Sequence, residues 1–463
     1  MLFHSFVFIG AFLPAIWLGH RLLARTPYPV APKLWLIAAS IAFYAFWNPI
    51  YVLLLVGSVG FNYVVGSRLG DRHTLRAAKR LLAIGIAANL LTLAYFKYFN
   101  FFVDNLNSWV DIGAGFEQIL LPLGISFITF QQIAFLVDSY RKQVAETTFV
   151  SYALFILFFP QLIAGPIVHH AEMVPQFASK LASRFDPANL NLGIAIFVVG
   201  LVKKVVIADT FARWANQGFN DPSSLELASA WATSLSYTIQ IYFDFSGYTD
   251  MAIGIALLFN IRLPINFDAP YRSTSVREFW TRWHITLSRF MLTYVYIPLG
   301  GNRVKPPREH LNLLLTMGLG GLWHGAGWQF IVWGLAHGAA MSVGRLWSSR
   351  GRRVPSKAAW ALTILFVNAT WVPFRANDLA DAATVWRAML GFGGVDLSLN
   401  PVWLVALLVA GAAALAPAIT NRWYQAQRFN VGPRGWAIIG LGFLAAFAFT
   451  QVGRANEFIY FQF

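Results

Sequence analysis

Apolar residues run for close to the length of a bilayer crossing at many places along this chain, and short basic loops separate the runs. One crossing needs about 20 predominantly apolar residues. Candidate segments lie at 2–20, 33–48, 50–66, 81–102, 118–137, 150–168, 189–207, 225–246, 248–262, 310–323, 326–346, 358–374, 401–418 and 435–451. That is about 14 as an upper bound, because several are short or interrupted by Gly and Pro. Composition closes off a soluble alternative. Of 463 residues, 57% are hydrophobic and 12% charged, and the mean hydropathy is +0.55. Soluble domains carry about 25% charged residues, and one or two cores cannot hide this much apolar surface. The expected fold class is all-α, a polytopic transmembrane helical protein. No internal repeat, low-complexity tract or soluble domain is visible, so residues 1–463 are expected to form one membrane domain, with motifs densest at 236–346.

The loops carry the orientation. Basic clusters sit at Arg21/Arg25/Lys33, Arg68/Arg72/Arg76/Lys79/Arg80, Arg141/Lys142, across 262–310, at Arg345/Arg350/Arg352/Arg353/Lys357 and at Arg422/Arg428/Arg434. Intervening loops are neutral or acidic, as at Asp104, Asp111 and Glu117. By the positive-inside bias, both termini lie outside the cytoplasm and the 323–327 turn faces the outer half of the membrane. The same bias accounts for the net charge of +15, so no nucleic-acid partner is expected. The first run, 2–18, lacks a basic leader and a small-residue cleavage site, and reads as a membrane helix rather than a signal peptide. There are no cysteines, which excludes disulfides and thiolate chemistry.

Two Gly/Pro interruptions, at 121–124 and 159–166, predict kinked or re-entrant pieces. Broken backbone at membrane depth is tolerated only where protein buries it or a cavity receives it. The long polar insert 262–310 alternates Trp, Phe and Leu with Arg over 275–292, predicting one amphipathic helix at the cytoplasmic interface.

Nine histidines remain as chemistry. His4, His20, His73 and His310 sit at span ends or in basic loops, where a solvated ring is expected. His169 and His170 follow the Gly165-Pro166 break and read as a loop pair, with the lining of a vestibule as the alternative. No HExxH or other metal-ligand spacing occurs, and carboxylates are not grouped near any His, so no metal site is expected. His324 lies between two apolar runs in Gly320-Gly321-Leu322-Trp323-His324-Gly325-Ala326-Gly327. An ionisable group at that depth is costly and marks a functional site by default, and the glycines let a substrate or another backbone approach. The ordinary alternative is a histidine hydrogen-bonded inside a bundle. His284 belongs to the amphipathic insert, where a solvated interfacial imidazole is the competing reading. His337 falls on a largely different helical face from His324 and reads as a packing residue. A neutral imidazole can act as general base for a hydroxyl attacking a carbonyl, with a second group polarising the carbonyl oxygen; a transporter would use the same groups as proton relays.

The run Gln240-Ile241-Tyr242-Phe243-Asp244-Phe245-Ser246-Gly247-Tyr248-Thr249-Asp250, followed by Asn266-Phe267 and Pro270-Tyr271, closely resembles the membrane-bound O-acyltransferase family. So do Glu278-Phe279-Trp280-Thr281-Arg282-Trp283-His284, Tyr296-Ile297-Pro298-Leu299-Gly300-Gly301-Asn302-Arg303 and Leu322-Trp323-His324-Gly325. The segments Leu121-Pro122-Leu123-Gly124-Ile125-Ser126-Phe127 and Phe458-Ile459-Tyr460-Phe461-Gln462-Phe463 resemble its alginate O-acetyltransferase branch. The likeness covers nearly the whole chain.

That resemblance implies re-entrant and interfacial helices around a central funnel or tunnel in a bacterial inner membrane. It implies His324 as the catalytic residue and His284 as its companion. The reaction implied is transfer of an acyl group, most simply acetyl, from a cytoplasmic thioester donor such as acetyl-CoA to hydroxyls of an exopolysaccharide or an extracytoplasmic serine-hydrolase-like protein. No bound cofactor is implied. Peptidoglycan or teichoic-acid acylation is the alternative within the class, and flipping of a polysaccharide intermediate the alternative outside it; transporters of many folds show internal repeats, which are absent here. Arg282, Arg277 and Arg303 are candidates to attract the anionic donor, although the positive-inside bias explains them equally well. Asp244, Asp250 and Trp323 are candidates to contact substrate, with a structural hydrogen-bond network the alternative for the two aspartates. Leu292-Thr293 and Thr281 stand where the family commonly has Arg-Asp and Arg.

Overall fold

The computed structural model describes residues 1–70, 74–110, 118–144, 148–179, 184–427, 429, 436–454, 458 and 459. Arg72, His73, Asp111, Glu117, Arg428, Arg434 and the terminal Tyr460, Phe461, Gln462 and Phe463 lie outside the described residues. Every regular element among the described residues is helical. Among the described residues four helices are long and apolar enough to cross a membrane: Ile50–Gly70, Leu75–Asn107, Pro187–Asn220 and Pro401–Gln425. Shorter apolar helices occupy Phe8–Leu23, Ala31–Ala45 and Ile439–Gln451.

The difference from fourteen apolar segments has identifiable causes. The expected spans 225–246 and 248–262 are one helix, Leu227–Leu258, 32 residues long. Gly247 does not break it; a Cβ there would stand 2.7 Å from the carbonyl oxygen of Gly200, so this glycine serves close helix packing. Segment 150–168 does break. Its helix stops at Leu157, and one short turn, Phe159–Leu162, follows. Ser40 Oγ accepts from the Phe159 N–H at 3.1 Å and Gln161 Nε2 donates to Phe155 O at 2.6 Å. Side chains thus satisfy backbone that no water can reach, as a bilayer demands. The expected break at 121–124 ends on Gly124 at φ +73°, in front of the helix Ile125–Tyr140.

The chain forms two compact units. The first comprises Met1–Val199, Tyr248–Pro264 and Trp423–Gly453. Its core is a phenylalanine cluster in which Phe43 lies 5.6 Å from Phe3, 5.9 Å from Phe8 and 5.7 Å from Phe159. Asn62 and Asn89 exchange amide hydrogen bonds of 3.2 and 2.7 Å between two membrane helices, polar glue of the kind apolar solvent favours. His4 and His20 are each 3% exposed, so the expectation of solvated rings is corrected for both; His20 is set edge-on to Phe259. His169 and His170 are no loop pair either: His169 caps the helix His170–Ala178 and His170 is buried.

The second unit comprises Gly200–Gly247, Ile265–Arg422 and Arg454–Phe463. Its centre is aromatic, with Trp283, Trp333 and Trp371 fully buried. Asn368 accepts from Ser234 Oγ at 3.0 Å and donates to Thr238 Oγ1 at 2.8 Å, tying Ser356–Arg375 to the long helix. The helices Pro306–His324 and Trp328–Ser349 form a hairpin. Pro at the start of the first arm fits a position whose N–H has no helical partner. The arms close on glycines: a Cβ on Gly321 would lie 2.2 Å from Phe330 O and 3.1 Å from Gly334 Cα.

Candidate active site

His324 is the last helical residue of the first hairpin arm, and Gly325 behind it is fully extended at φ −157°, ψ 154°. The helix ends there because the chain must turn within Gly325-Ala326-Gly327 to start the second arm. A Cβ on Gly325 would strike the Phe330 ring at 2.1 Å, so only glycine lets the turn close. His324 is 3% exposed. Its ring meets Trp323 at 5.0 Å, Trp333 at 5.1 Å and Phe374 at 5.2 Å between centroids. The fourth neighbour is His284, at 6.4 Å.

His284 reaches this place by a route that amphipathic periodicity does not predict. The expected single helix over 275–292 is two short helices, Val276–Arg282 and Ile285–Met291. Ser275 caps the first, its Oγ accepting from the Glu278 N–H at 3.1 Å. Between them His284 adopts the left-handed conformation, φ 44°, ψ 53°, which costs a side-chain-bearing residue about 1–2 kcal/mol. Asn266 holds the break. Its backbone carbonyl accepts from Ile285 N–H at 3.0 Å, and its Oδ1 lies 3.1 Å from Thr286 N, 2.9 Å from Thr286 Oγ1 and 3.2 Å from His284 Nδ1. His284 is wholly buried, so a solvated interfacial ring is corrected. Phe245 meets it edge-on at 4.8 Å and Trp323 lies at 6.1 Å. Burial pushes the His284 pKa down to about 3, because desolvation penalises the charged form. The ring is neutral at physiological pH.

The remaining sequence candidates, Trp323 apart, fall in other surroundings. Arg282 is engaged at the surface by Glu278 at 3.0 Å and Asp268 at 3.6 Å, and Arg277 and Arg303 are exposed. Asp244 is buried in an ion pair with Lys204 at 2.7 Å, and Lys204 also meets Asp209 at 2.9 Å. The second carboxylate oxygen of Asp244 accepts from Ile459 N–H at 2.8 Å. Phe458, beside it, packs on Phe245 at 5.8 Å. Asp250 is buried within the first unit. Trp323 is in ring contact with both histidines. Asn266 enters the sequence reading only as part of a family motif with no role assigned, and Thr286 not at all; the signal was that Asn-Phe pair, standing 18 residues before His284. Among the described residues no group of three or more His, Asp or Glu side chains is placed to hold a metal ion.

Two buried imidazoles in an aromatic enclosure, one fixed by an amide, suit proton transfer with water excluded. The sequence profile of the membrane-bound O-acyltransferases matches residues 80–374. The chain belongs to the membrane-bound O-acyltransferase family.

Named proteins similar to it cover from about half to most of its length. It is 49% identical over 428 residues to a peptidoglycan O-acetyltransferase of Helicobacter pylori, covering 86% of this chain and 81% of that one. It is 42% identical over 441 residues to the probable alginate O-acetylase AlgI of Pseudomonas aeruginosa, covering 93% and 82%. A teichoic acid D-alanyltransferase of Streptococcus thermophilus is 28% identical over 259 residues, covering 52% and 60%. The chain is therefore an acyltransferase of the membrane, and His324 and His284 both fall within the matched residues.

Proposed function

We propose that this protein moves an acetyl group from a thioester such as acetyl-CoA, supplied from the cytoplasm, to hydroxyls of an extracytoplasmic polysaccharide. The acceptor receives it directly or through an extracytoplasmic serine-hydrolase-like protein, and the chain resides in a bacterial inner membrane among membrane lipid. The observation that carries this reading is the enclosure of His324, 3% exposed and ringed by Trp323, Trp333, Phe374 and His284. His324 takes the proton from the hydroxyl as its oxygen attacks the thioester carbonyl. The C–S bond then breaks and the proton held by His324 passes to the departing sulfur, which leaves as the thiol and restores the neutral imidazole. General-base assistance contributes about 10²–10⁴-fold, and a dry site strengthens each electrostatic contact. The named activities of the relatives, on peptidoglycan and alginate, support a polysaccharide acceptor.

The test is a single turnover by the purified protein in lipid nanodiscs, given acetyl-labelled thioester and a soluble glucan or peptidoglycan fragment. Label should pass to the hydroxyl in the wild type and not in His324→Ala. Transport of acceptor across a sealed bilayer without any ester formed would overturn the reading.

A further inference from the structure

Asn266 Oδ1 has three neighbours, and one of them leaves no choice of role. A backbone N–H can only donate, so the Asn266 atom 3.1 Å from Thr286 N is the carbonyl oxygen and not the amide nitrogen. That donor fixes which end of the side-chain amide faces Thr286. An oxygen acceptor 3.2 Å from His284 Nδ1 then requires a proton on Nδ1. A neutral imidazole carries one proton, which leaves the lone pair on Nε2. We propose that Asn266 is a positioning residue that holds His284 in its Nδ1–H tautomer, so that Nε2 acts toward the reacting groups as an acceptor and not as a hydrogen-bond donor to the carbonyl oxygen.

This rests on the acyl-transfer reading and narrows it. Of the two jobs open to a companion histidine, polarising the carbonyl needs an N–H at Nε2, which this tautomer lacks. Accepting a hydrogen bond from the hydroxyl, or from the imidazolium that His324 becomes, needs the lone pair that this tautomer provides. Asn266 suits the task because nothing else about it is adjustable. It is wholly buried, its main-chain carbonyl holds Ile285, and its side-chain oxygen is held by Thr286. The ring it orients is clamped edge-on by Phe245 and flanked by Phe267. Among these contacts the titratable group facing His284 is His324. Neutrality of His284 at working pH follows from burial among such groups. The second unit thus places one histidine by a hairpin turn and assigns the proton of the other by an amide.

The experiment is solid-state NMR on the full-length protein in lipid, labelled with ¹³C,¹⁵N-histidine, with the His284 signals assigned by their loss in His284→Gln. Wild-type protein without substrates should show His284 neutral with the proton on Nδ1; a proton on Nε2 would overturn the proposal. Asn266→Leu, which removes the acceptor, should release that tautomer and slow single-turnover transfer by about 10²-fold or more. A folded Asn266→Leu protein transferring at the wild-type rate would also overturn it. Asn266→Asp keeps the oxygen and covers the case in which Asn266→Leu fails to fold. It should retain the Nδ1 proton and recover activity as pH rises, with the acid limb of its rate profile displaced upward by about 1–3 units by the added negative charge. Inactivity of Asn266→Asp at every pH would count against positioning. Tautomer and turnover are read separately, so an Nδ1–H ring in a protein that transfers no acetyl sinks the functional reading and spares this one.

Discussion

The indole N–H of Trp280 donates to Nδ1 of His337 at 3.2 Å, and this one contact decides what the third buried histidine of the second unit does. With Nδ1 accepting, the neutral ring carries its proton on Nε2, which faces Thr370 Oγ1 at 3.1 Å; the Thr370 hydroxyl in turn donates a hydrogen bond to Val367 O at 2.9 Å. Both nitrogens of His337 are engaged in holding three helices together. His337→Ala should therefore lower thermal stability by about 2–4 kcal/mol through the cavity and the stranded indole N–H of Trp280, while the molecules that fold keep most of their turnover. His324→Ala should do the reverse. Thermal midpoints and single-turnover rates of the two variants in parallel check this, and a stable but inactive His337→Ala would break it.

Acid should weaken the protein through His284. Its pKa is depressed from 6.5 to about 3 in the folded state, so the unfolded chain binds the extra proton first. The contribution to stability is full above pH 6.5 and is lost progressively as pH falls toward 3. The measurement is the difference in thermal midpoint between wild type and His284→Leu across that window. The difference should shift in disfavour of the wild type as pH drops; a difference independent of pH would refute a neutral buried ring.

The hairpin should not tolerate a side chain at Gly321. A methyl group there meets Phe330 O at 2.2 Å, backbone that cannot step aside without parting the two arms. Gly321→Ala should cost about 1–3 kcal/mol and reduce turnover by displacing His324, three residues on. Gly318→Ala is the control, since its methyl group first meets a Leu335 side-chain carbon at 3.2 Å and should be mild. Equal effects in unfolding and turnover assays would show that the glycine contact does not set the hairpin.

Lys204 serves two carboxylates in a buried site. Lys204→Met should destabilise by about 3–5 kcal/mol, because it leaves buried negative charge without its cation. The triple variant with Asp209→Asn and Asp244→Asn should regain much of that loss. Unfolding in detergent measures both, and a Lys204→Met protein as stable as wild type would remove the ion cluster from the account of the fold.

Orientation can be read on this cysteine-free chain. Single cysteines at Arg76, Arg289 and Arg352 should resist an impermeant thiol reagent applied outside, and one at Asn107 should react. Labelling at Arg352 would invert the proposed sidedness of the hairpin.

Residue pattern alone revealed the helical membrane class, the breaks near Gly124 and Pro160, and the turn carrying His324, because these follow from local rules: apolar run length, Gly and Pro, and the cost of an ionisable group in lipid. The long helix Leu227–Leu258 was concealed because a glycine in sequence does not say whether it breaks a helix or admits a neighbour; Gly200 settles that for Gly247. The left-handed turn at His284 has no local signal at all. A histidine adopts it there only because Asn266, 18 residues earlier, supplies the partners. Burial of His4 and His20 and the pairing of Lys204 with Asp244 are likewise set by elements distant in the chain.

Phe458 and Ile459 bear on the order of events at the ribosome. Ile459 is hydrogen-bonded to Asp244, and Phe458 lies against Phe245, the residue that clamps the His284 ring. Every other contact described around the two histidines is complete once the chain has been made as far as Phe374, yet this last brace emerges more than eighty residues later in translation. A nascent chain inserted up to the hairpin therefore holds both histidines without the backing of Phe245. The enzyme is kept from its finished form until that segment has been made.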